Sequence, residues 1–441
     1  MKYESIKTVI LTILIIISIV LTWQLWTYQP HHKTLEKLTD IVEENPASNT
    51  KDIPSLVKPM KILFHKDGQH FATFEESEIN KLMKYIRTWE VNDVKNISSS
   101  IRDFTSFIKK DGHAEIIFAD KIPLQIFKSL LNINDKEHSL VNFDRIIINV
   151  NDEERGEGKI YFISYENQIV YEAKVNSERI NSFKRNYYLL ASKYPEQVEY
   201  KLTETSSFFL PKEETKMTHL VYYTDIIEVD HFVENLFTEP NNVKKDVLQS
   251  SEVHTDGTRM LKVFNDQKYI QFVNPMLINN SQGETTDLIQ TSIDFVNEHG
   301  GWTGNYQLFS WNKNNQKVVF RLHVENYPVF NRNGLTEIDQ IWGKNEIMNY
   351  EHPLISLRFT PEKRETELPG GDAVMKEIES IPDFQANLVE NITIGYELIA
   401  NQKSSKVVSL QPIWCYKYDG NWIKVEIKES DNLGGDTDGL E

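Results

Sequence analysis

The chain has 441 residues, 40% of them apolar and 26% charged, which is enough for two or three domains with real cores and too apolar for a disordered polymer. A formal net charge of −17, with no sustained run of Lys and Arg, argues against nucleic acid as a partner and sets the bulk of the chain apart from anionic lipid headgroups. The single cysteine, Cys415, excludes an internal disulfide and any two-cysteine zinc or redox motif, and between Trp414 and Tyr416 it reads as a small buried strand residue.

Residues 1–7 form a short tail before an uncharged run, Thr8 to Trp26, of 19 residues. As a helix this run covers about 28 Å, close to the ~30 Å hydrocarbon core of a bilayer. It is longer than a secretory signal core and ends in bulky rings rather than a small-residue cleavage site, so residues 8–28 read as an uncleaved signal anchor. Trp23, Trp26 and Tyr28 suit the membrane interface, and Pro30 stops the helix. Lys2 and Lys7 are balanced by Lys33 and Lys37, so orientation rests on the acidic, cysteine-poor C-terminal bulk: N-terminus cytoplasmic, bulk extracytoplasmic. At ~100° per residue Thr8, Thr12, Ser18 and Thr22 share an arc of about 120°, a stripe that permits close helix approach and interhelical hydrogen bonds. Such hydroxyls also bond back to their own helix, so the stripe has an ordinary reading as well as a partner-binding one.

Residues 29–52 follow as a stalk and linker, and three α+β units are expected at 53–195, 196–300 and 301–430, before an acidic tail at 431–441. Asp67-Gly68 marks a hairpin between 60–65 and 70–74. Ile79, Leu82, Met83, Ile86 and Trp89 carry the stripe of an amphipathic helix. Strands are expected at 114–118, 145–150, 159–164 and 168–175. Pro211-Lys212-Glu213-Glu214 punctuates the entry to the next unit, with a strand at 219–223, a helix at 230–237, strands at 259–264 and 268–273, and a helix at 286–298. Hairpins at 306–324 and 406–428 complete the reading. The fold class is α+β, largely antiparallel.

Candidate chemistry is sparse. The histidines show no HExxH, and His31-His32 falls in the stalk, so neither metal nor cofactor is expected. Asp436 to Gly439 imitates the start of a calcium loop whose remaining ligands the sequence does not supply. No nucleophile motif is present, and Gly300-Gly301-Trp302-Thr303-Gly304 follows a helix, where a C-terminal stop explains it better than a phosphate loop. Thr255-Asp256-Gly257-Thr258 reads as a turn before a strand.

The anchor and several internal stretches together resemble the YycH (WalH) family. These stretches are Phe237-Thr238-Glu239-Pro240, Thr255 to Arg259, Phe272-Val273-Asn274-Pro275, Gly300 to Thr303 and Ile341-Trp342-Gly343. The resemblance implies a non-enzymatic, membrane-anchored accessory protein, working with a sister protein, YycI (WalI), to set the activity of the WalK (YycG) sensor histidine kinase through transmembrane and extracytoplasmic contacts. A wall-associated enzyme or an extracytoplasmic ligand-binding receptor is the alternative. The anchor reading has a direct test: a reporter active only in the cytoplasm, fused after Glu441, is expected to be silent and an export-dependent one active. The reverse pattern overturns the topology.

Overall fold

The computed structural model describes Ser18 and residues 50–427, except 129, 134–140, 155, 267, 279–286, 345, 359–361 and 401–405, with the side chains of 152–154 and 277–278 also outside the description. The chain divides into two units, Met1–Asn45 and Pro46–Glu441. The architecture below is that of the second.

Its first sheet holds β1 (Lys61–Lys66), β2 (Gln69–Thr73), β3 (Glu90–Asn96), β4 (His113–Pro123), β5 (Asn132–Ile133), β6 (Asn142–Glu154), β7 (Glu157–Ser164), β8 (Ile169–Asn176), β9 (Glu196–Lys201) and β10 (Ser207–Pro211). The order is β10-β9-β2-β1-β4-β6-β7-β8-β3-β5. Asp67 and Gly68, at φ 52° and 74°, close β1 and β2 in the two-residue turn whose twist matches paired strands, with His65 opposite His70. Helices α1 (Ile53–Leu56), α2 (Glu76–Ile86), α3 (Phe104–Ile108), α4 (Leu124–Phe127) and α5 (Ser177–Asn186) accompany this sheet. Helix α2 buries the expected Ile79, Leu82, Met83 and Ile86, and Trp89 lies past its end yet remains in the core.

Side chains alternate between the faces of a strand. Ile62, Phe64, Ala114, Ile116, Ile146 and Ile148 point into the large core, and their neighbours Leu63, His65, Glu115, Arg145 and Ile147 occupy the other face. That second face is covered by Phe104, Phe107 and Ile108 of α3 and by Phe209 of β10. Glu115 there is fully buried and accepts from His65 Nε2 at 2.7 Å and Arg145 Nη1 at 2.8 Å. Because an ionised carboxylate only accepts, the proton in the first bond sits on His65 Nε2, and a further proton bridges His65 Nδ1 to His70 Nδ1 at 2.7 Å. Burial works against the charge on Glu115, but the Arg145 guanidinium and the His65 bond hold its carboxyl down at about 2.

The second sheet holds β11 (Thr215–Ile226), β12 (Lys244–Val247), β13 (Ser251–Thr255), β14 (Met260–Phe264), β15 (Tyr269–Val273), β16 (Tyr306–Asn312), β17 (Lys317–Val324), β18 (Tyr327–Phe330), β19 (Glu337–Trp342), β20 (Ile347–Pro353), β21 (Ile355–Leu357), β22 (Glu362–Leu368), β23 (Val389–Ala400), β24 (Val407–Tyr418) and β25 (Asn421–Lys424). Its main path runs β12-β13-β14-β15-β20-β19-β17-β18-β23-β24-β11-β21. Helices α6 (Val229–Leu236), α7 (Pro275–Ile278), α8 (Leu288–Glu298) and α9 (Gly371–Glu379) complete it. Among the described pairings only β3 with β5 and β18 with β23 are parallel, so the class is α+β and antiparallel in the main.

The sheets do not follow cuts at 195/196 and 300/301. Strand β9 pairs with β2, and β15 pairs with β20, so hydrogen bonds cross both positions and the change of sheet comes at 212–214, between β10 and β11. The two sheets share one apolar cluster running from Leu56 to Val425. Polar contacts fix them together: Asn326 Nδ2 donates to Met60 O at 3.1 Å, Trp311 N to Asp120 Oδ2 at 3.2 Å, and Tyr200 OH to Asp372 Oδ1 at 2.6 Å.

Replacing Arg145 by Met leaves Glu115 buried with half of its neutralising set gone, a loss of about 3 to 5 kcal/mol for a broken buried pair. Adding Glu115→Gln is expected to recover much of it, measured by denaturant unfolding of the single and double variants. The depressed carboxyl also fixes a sign. Its contribution is complete above the ordinary carboxylate range and is lost as pH falls from about 4.5 to about 2, so Glu115→Gln flattens the acid limb of a stability profile there.

Candidate functional site

The stretches that carry the family resemblance lie far apart in sequence and meet at one cleft of about 440 Å³. Arg259, Phe272, Asn274 and Trp342 line it directly, and Leu236 and His299, each beside another of the stretches, complete that side. The turn before β14 is built to present Arg259. Asp256 Oδ1 accepts from Thr258 N at 2.8 Å, Thr258 Oγ1 at 2.8 Å and Arg259 N at 2.7 Å, while Gly257 takes a φ of 91°. Burial pushes the Asp256 carboxyl up, and these bonds outweigh it and hold it below the usual value. Arg259 Nη1 then donates to Thr238 Oγ1 at 3.1 Å, which ties the Phe237-to-Pro240 stretch to the same turn.

Helix α8 forms the facing wall. Thr291, Asp294, Phe295 and Glu298 fall at i, i+3, i+4 and i+7, one face of the helix, and all four line the cleft. The helix is pinned to β19 by Trp342, whose Nε1 donates to Ser292 Oγ at 2.9 Å and to Gln340 Oε1 at 3.1 Å. Its C-terminus stops where the sequence places a stop: Gly300 and Gly301 sit at φ 122° and 68°, and Gly301 N donates to Val296 O at 2.8 Å. A Cβ on Gly300 would lie 2.8 Å from the Phe232 ring. His299 stacks on Phe295 with centroids 4.1 Å apart and donates from Nδ1 to Phe295 O at 2.9 Å.

Asn274 is the anomaly of the cleft. It is 6% exposed, and its Oδ1 is buried without a hydrogen-bond partner among the described residues. An unsatisfied buried acceptor costs about 1 to 3 kcal/mol, so it marks a place where a donor would be favourable. Sequence reasoning read Thr255 to Thr258 as a turn before a strand opening at Arg259, and named Asn274 only within a family stretch. The signal that joins them is their membership of one set of family stretches.

The other clefts are internally neutralised. One of about 340 Å³ contains Lys61, Asp144, Arg145, Glu390 and Lys417, with Arg145 on Asp144 at 3.5 Å and Lys417 on Glu390 at 2.6 Å. Burial pushes Asp144 up to about 6 and Lys61 down to about 8. Another, of about 820 Å³, includes Arg321, sandwiched between Phe309 and Phe330 at 4.3 and 4.4 Å and paired with Glu337. Cys415 borders it, 2% exposed, its thiol pushed up to about 12 by burial, which suits the small strand residue expected there. Among the described residues no cluster has the make-up of a metal site.

Of the residues singled out near the N-terminus, Ser18 is helical, and Thr8, Thr12, Thr22, Trp23, Trp26 and Tyr28 lie outside the described residues. Among the described residues no helix is long and apolar enough to cross a membrane.

Comparison with known proteins gives a consistent picture. The family model described as YycH protein, N-terminal domain, matches residues 4–188, and the one described as YycH protein, C-terminal domain, matches 205–432. A relative from Bacillus subtilis (strain 168), named Two-component system WalR/WalK regulatory protein YycH, is 28% identical over 96% of this chain and 97% of its own length. The crystal structure of YycH from Bacillus subtilis superposes with a TM-score of 0.72 at 24% identity, covering 86% of this chain and 98% of that one, and so shares the fold.

The α8 stop generates a paired test. Gly300→Ala meets both a forbidden backbone and the Phe232 ring, whereas Gly334→Ala, at φ 75° with nothing within 4 Å, meets only the backbone penalty. Each is expected to destabilise by about 1 to 3 kcal/mol, with Gly300→Ala the larger by thermal or denaturant unfolding.

Proposed function

The chain belongs to the YycH family, and from that footing we propose that it is a membrane-anchored accessory protein that sets the activity of a WalK-type sensor histidine kinase. The observation that carries this is the collinear match to the B. subtilis WalR/WalK regulatory protein over 96% of this chain, supported by a family model that begins at residue 4 and so takes in the apolar run 8–26. In this reading residues 8–28 span the membrane with the N-terminus in the cytoplasm and the sheets outside. The stripe Thr8, Thr12, Ser18 and Thr22 packs against partner helices, those of the kinase and of the sister protein YycI. Trp23, Trp26 and Tyr28 seat the span at the interface.

The energetics required are modest. A neighbour that binds one of two helix packings better by ~1 to 3 kcal/mol changes the balance of a kinase severalfold or more. Hydroxyl hydrogen bonds between helices contribute only ~0.6 to 2 kcal/mol each, so single substitutions are too weak a test and a pair is needed. Replacing Ser18 and Thr22 together by Leu keeps the span apolar and of the same length. The kinase is expected to co-purify with the full-length parent from detergent-solubilised membranes and to be lost with the double variant, while Ile13→Leu with Ile17→Leu retains it. Equal recovery from the Ser18/Thr22 variant at normal membrane levels overturns the stripe as the contact.

A further inference from the structure

We propose that the cleft between α8 and the β15-β20-β19 strands binds a cationic amino group, an alkylammonium carried by an amino-acid or peptide ligand whose carbonyl or carboxylate oxygen meets Arg259. This goes beyond the regulatory reading and does not rest on it. The space, about 440 Å³, is that of a small-ligand site.

Three carboxylates line it, Asp294 and Glu298 one turn apart on α8 and Glu346 from the β19–β20 turn; among the described residues none of them has an ion-pair partner, and Asp294 Oδ1 accepts from Gln290 Nε2 at 2.8 Å. Carboxylates on a surface are ordinary, and alone they would mean only solvated charge. The independent observation is Asn274 in the wall of the same cleft, 94% buried, whose Oδ1 has no donor among the described residues. Carboxylates and an amide oxygen are all acceptors, so the vacant hydrogen-bonding capacity asks for N–H groups. Phe272, Phe295 and Trp342 supply apolar walls along which an alkyl stem can lie with its charged end toward the acids. Arg259 is the exception in sign, and its guanidinium, steered by Thr238, presents donors to the oxygen end of the same ligand.

The test is calorimetric titration of the full-length chain in detergent micelles with the N-acetylated, C-amidated peptides Gly-Lys-Gly and Gly-norleucine-Gly, so that the lysine side chain carries the one amino group, and with 1,5-diaminopentane. The lysine peptide is expected to bind with a Kd of about 1 mM or tighter, and the norleucine peptide at least about tenfold more weakly. Added salt weakens the lysine peptide. Asp294→Asn with Glu298→Gln, both at exposed positions, weakens it by about tenfold, as does Asn274→Leu, while Arg259→Gln weakens the peptide and leaves diaminopentane unchanged. The lysine peptide is expected to bind more tightly than the diamine, which has no oxygen for Arg259, and a diamine that binds as tightly or more tightly overturns the amino-acid or peptide ligand. The proposal is overturned if the norleucine and lysine peptides bind alike, if the Asp294/Glu298 variant retains the parent's unfolding midpoint and its Kd, or if no heat appears up to about 10 mM lysine peptide.

Discussion

A carboxylate with no access to solvent sits on the second face of the first sheet, and the register of that sheet is bound to it. Glu115 is tolerable there because His65 from β1 and Arg145 from β6 reach it from the strands on either side of β4. A slip of one residue in β4 would turn Glu115 into the cluster that holds Ile62, Phe64 and Ile146, and would bring Ala114 or Ile116 to face Arg145. An apolar sheet with two buried faces has little to choose between neighbouring registers. The charged triad removes that freedom, a use of buried polarity for specificity more than for stability.

The same sheet is the platform for the second. Strand β4 extends beyond its pairing with β1, and its far part meets the second sheet, where Trp311 takes hydrogen bonds to Asp120 and the Lys121 carbonyl. Asn326, at φ 68°, reaches back from the β17–β18 turn to the carbonyl of Met60. These contacts, with an apolar cluster common to both sheets, hold the cleft beside α8 and the buried triad in one framework.

Much of this was legible from residue patterns, because local signals and tertiary structure agree where turns and stripes are strong. The Asp67-Gly68 hairpin, the α2 stripe, strands β4, β6, β7 and β8 of the first sheet, the β16–β17 hairpin and the Gly300-Gly301 stop all appear where the sequence places them, whereas β3, β5, β9 and β10 carry no such signal. Between Tyr327 and Ala400 the signals fail. Strand β22 reads Glu-Lys-Arg-Glu-Thr-Glu-Leu and has no apolar alternation, since it is a largely exposed strand held by backbone pairing with β11. The α9 helix opens on two glycines, which suggest a turn, yet Gly370 and Gly371 are required for close approach to Lys212 and Leu210. The cleft was hidden for another reason: Arg259, Asn274 and Glu298 each have an unremarkable local role, and only strand pairing across β15 and β20 makes them neighbours.

Cys415 lies in β24, opposite Thr393 of β23 on one side and Lys424 of the short β25 on the other, with 2% of its surface reachable, and is the chain's one thiol. An alkylating reagent therefore reaches it only when the β24–β25 hairpin or the wall of the cleft it borders opens. The rate of its modification is a clock for that local opening, separate from the unfolding of the sheet as a whole. Burial of this kind keeps the thiol unreactive twice over, by limiting access and by disfavouring the thiolate.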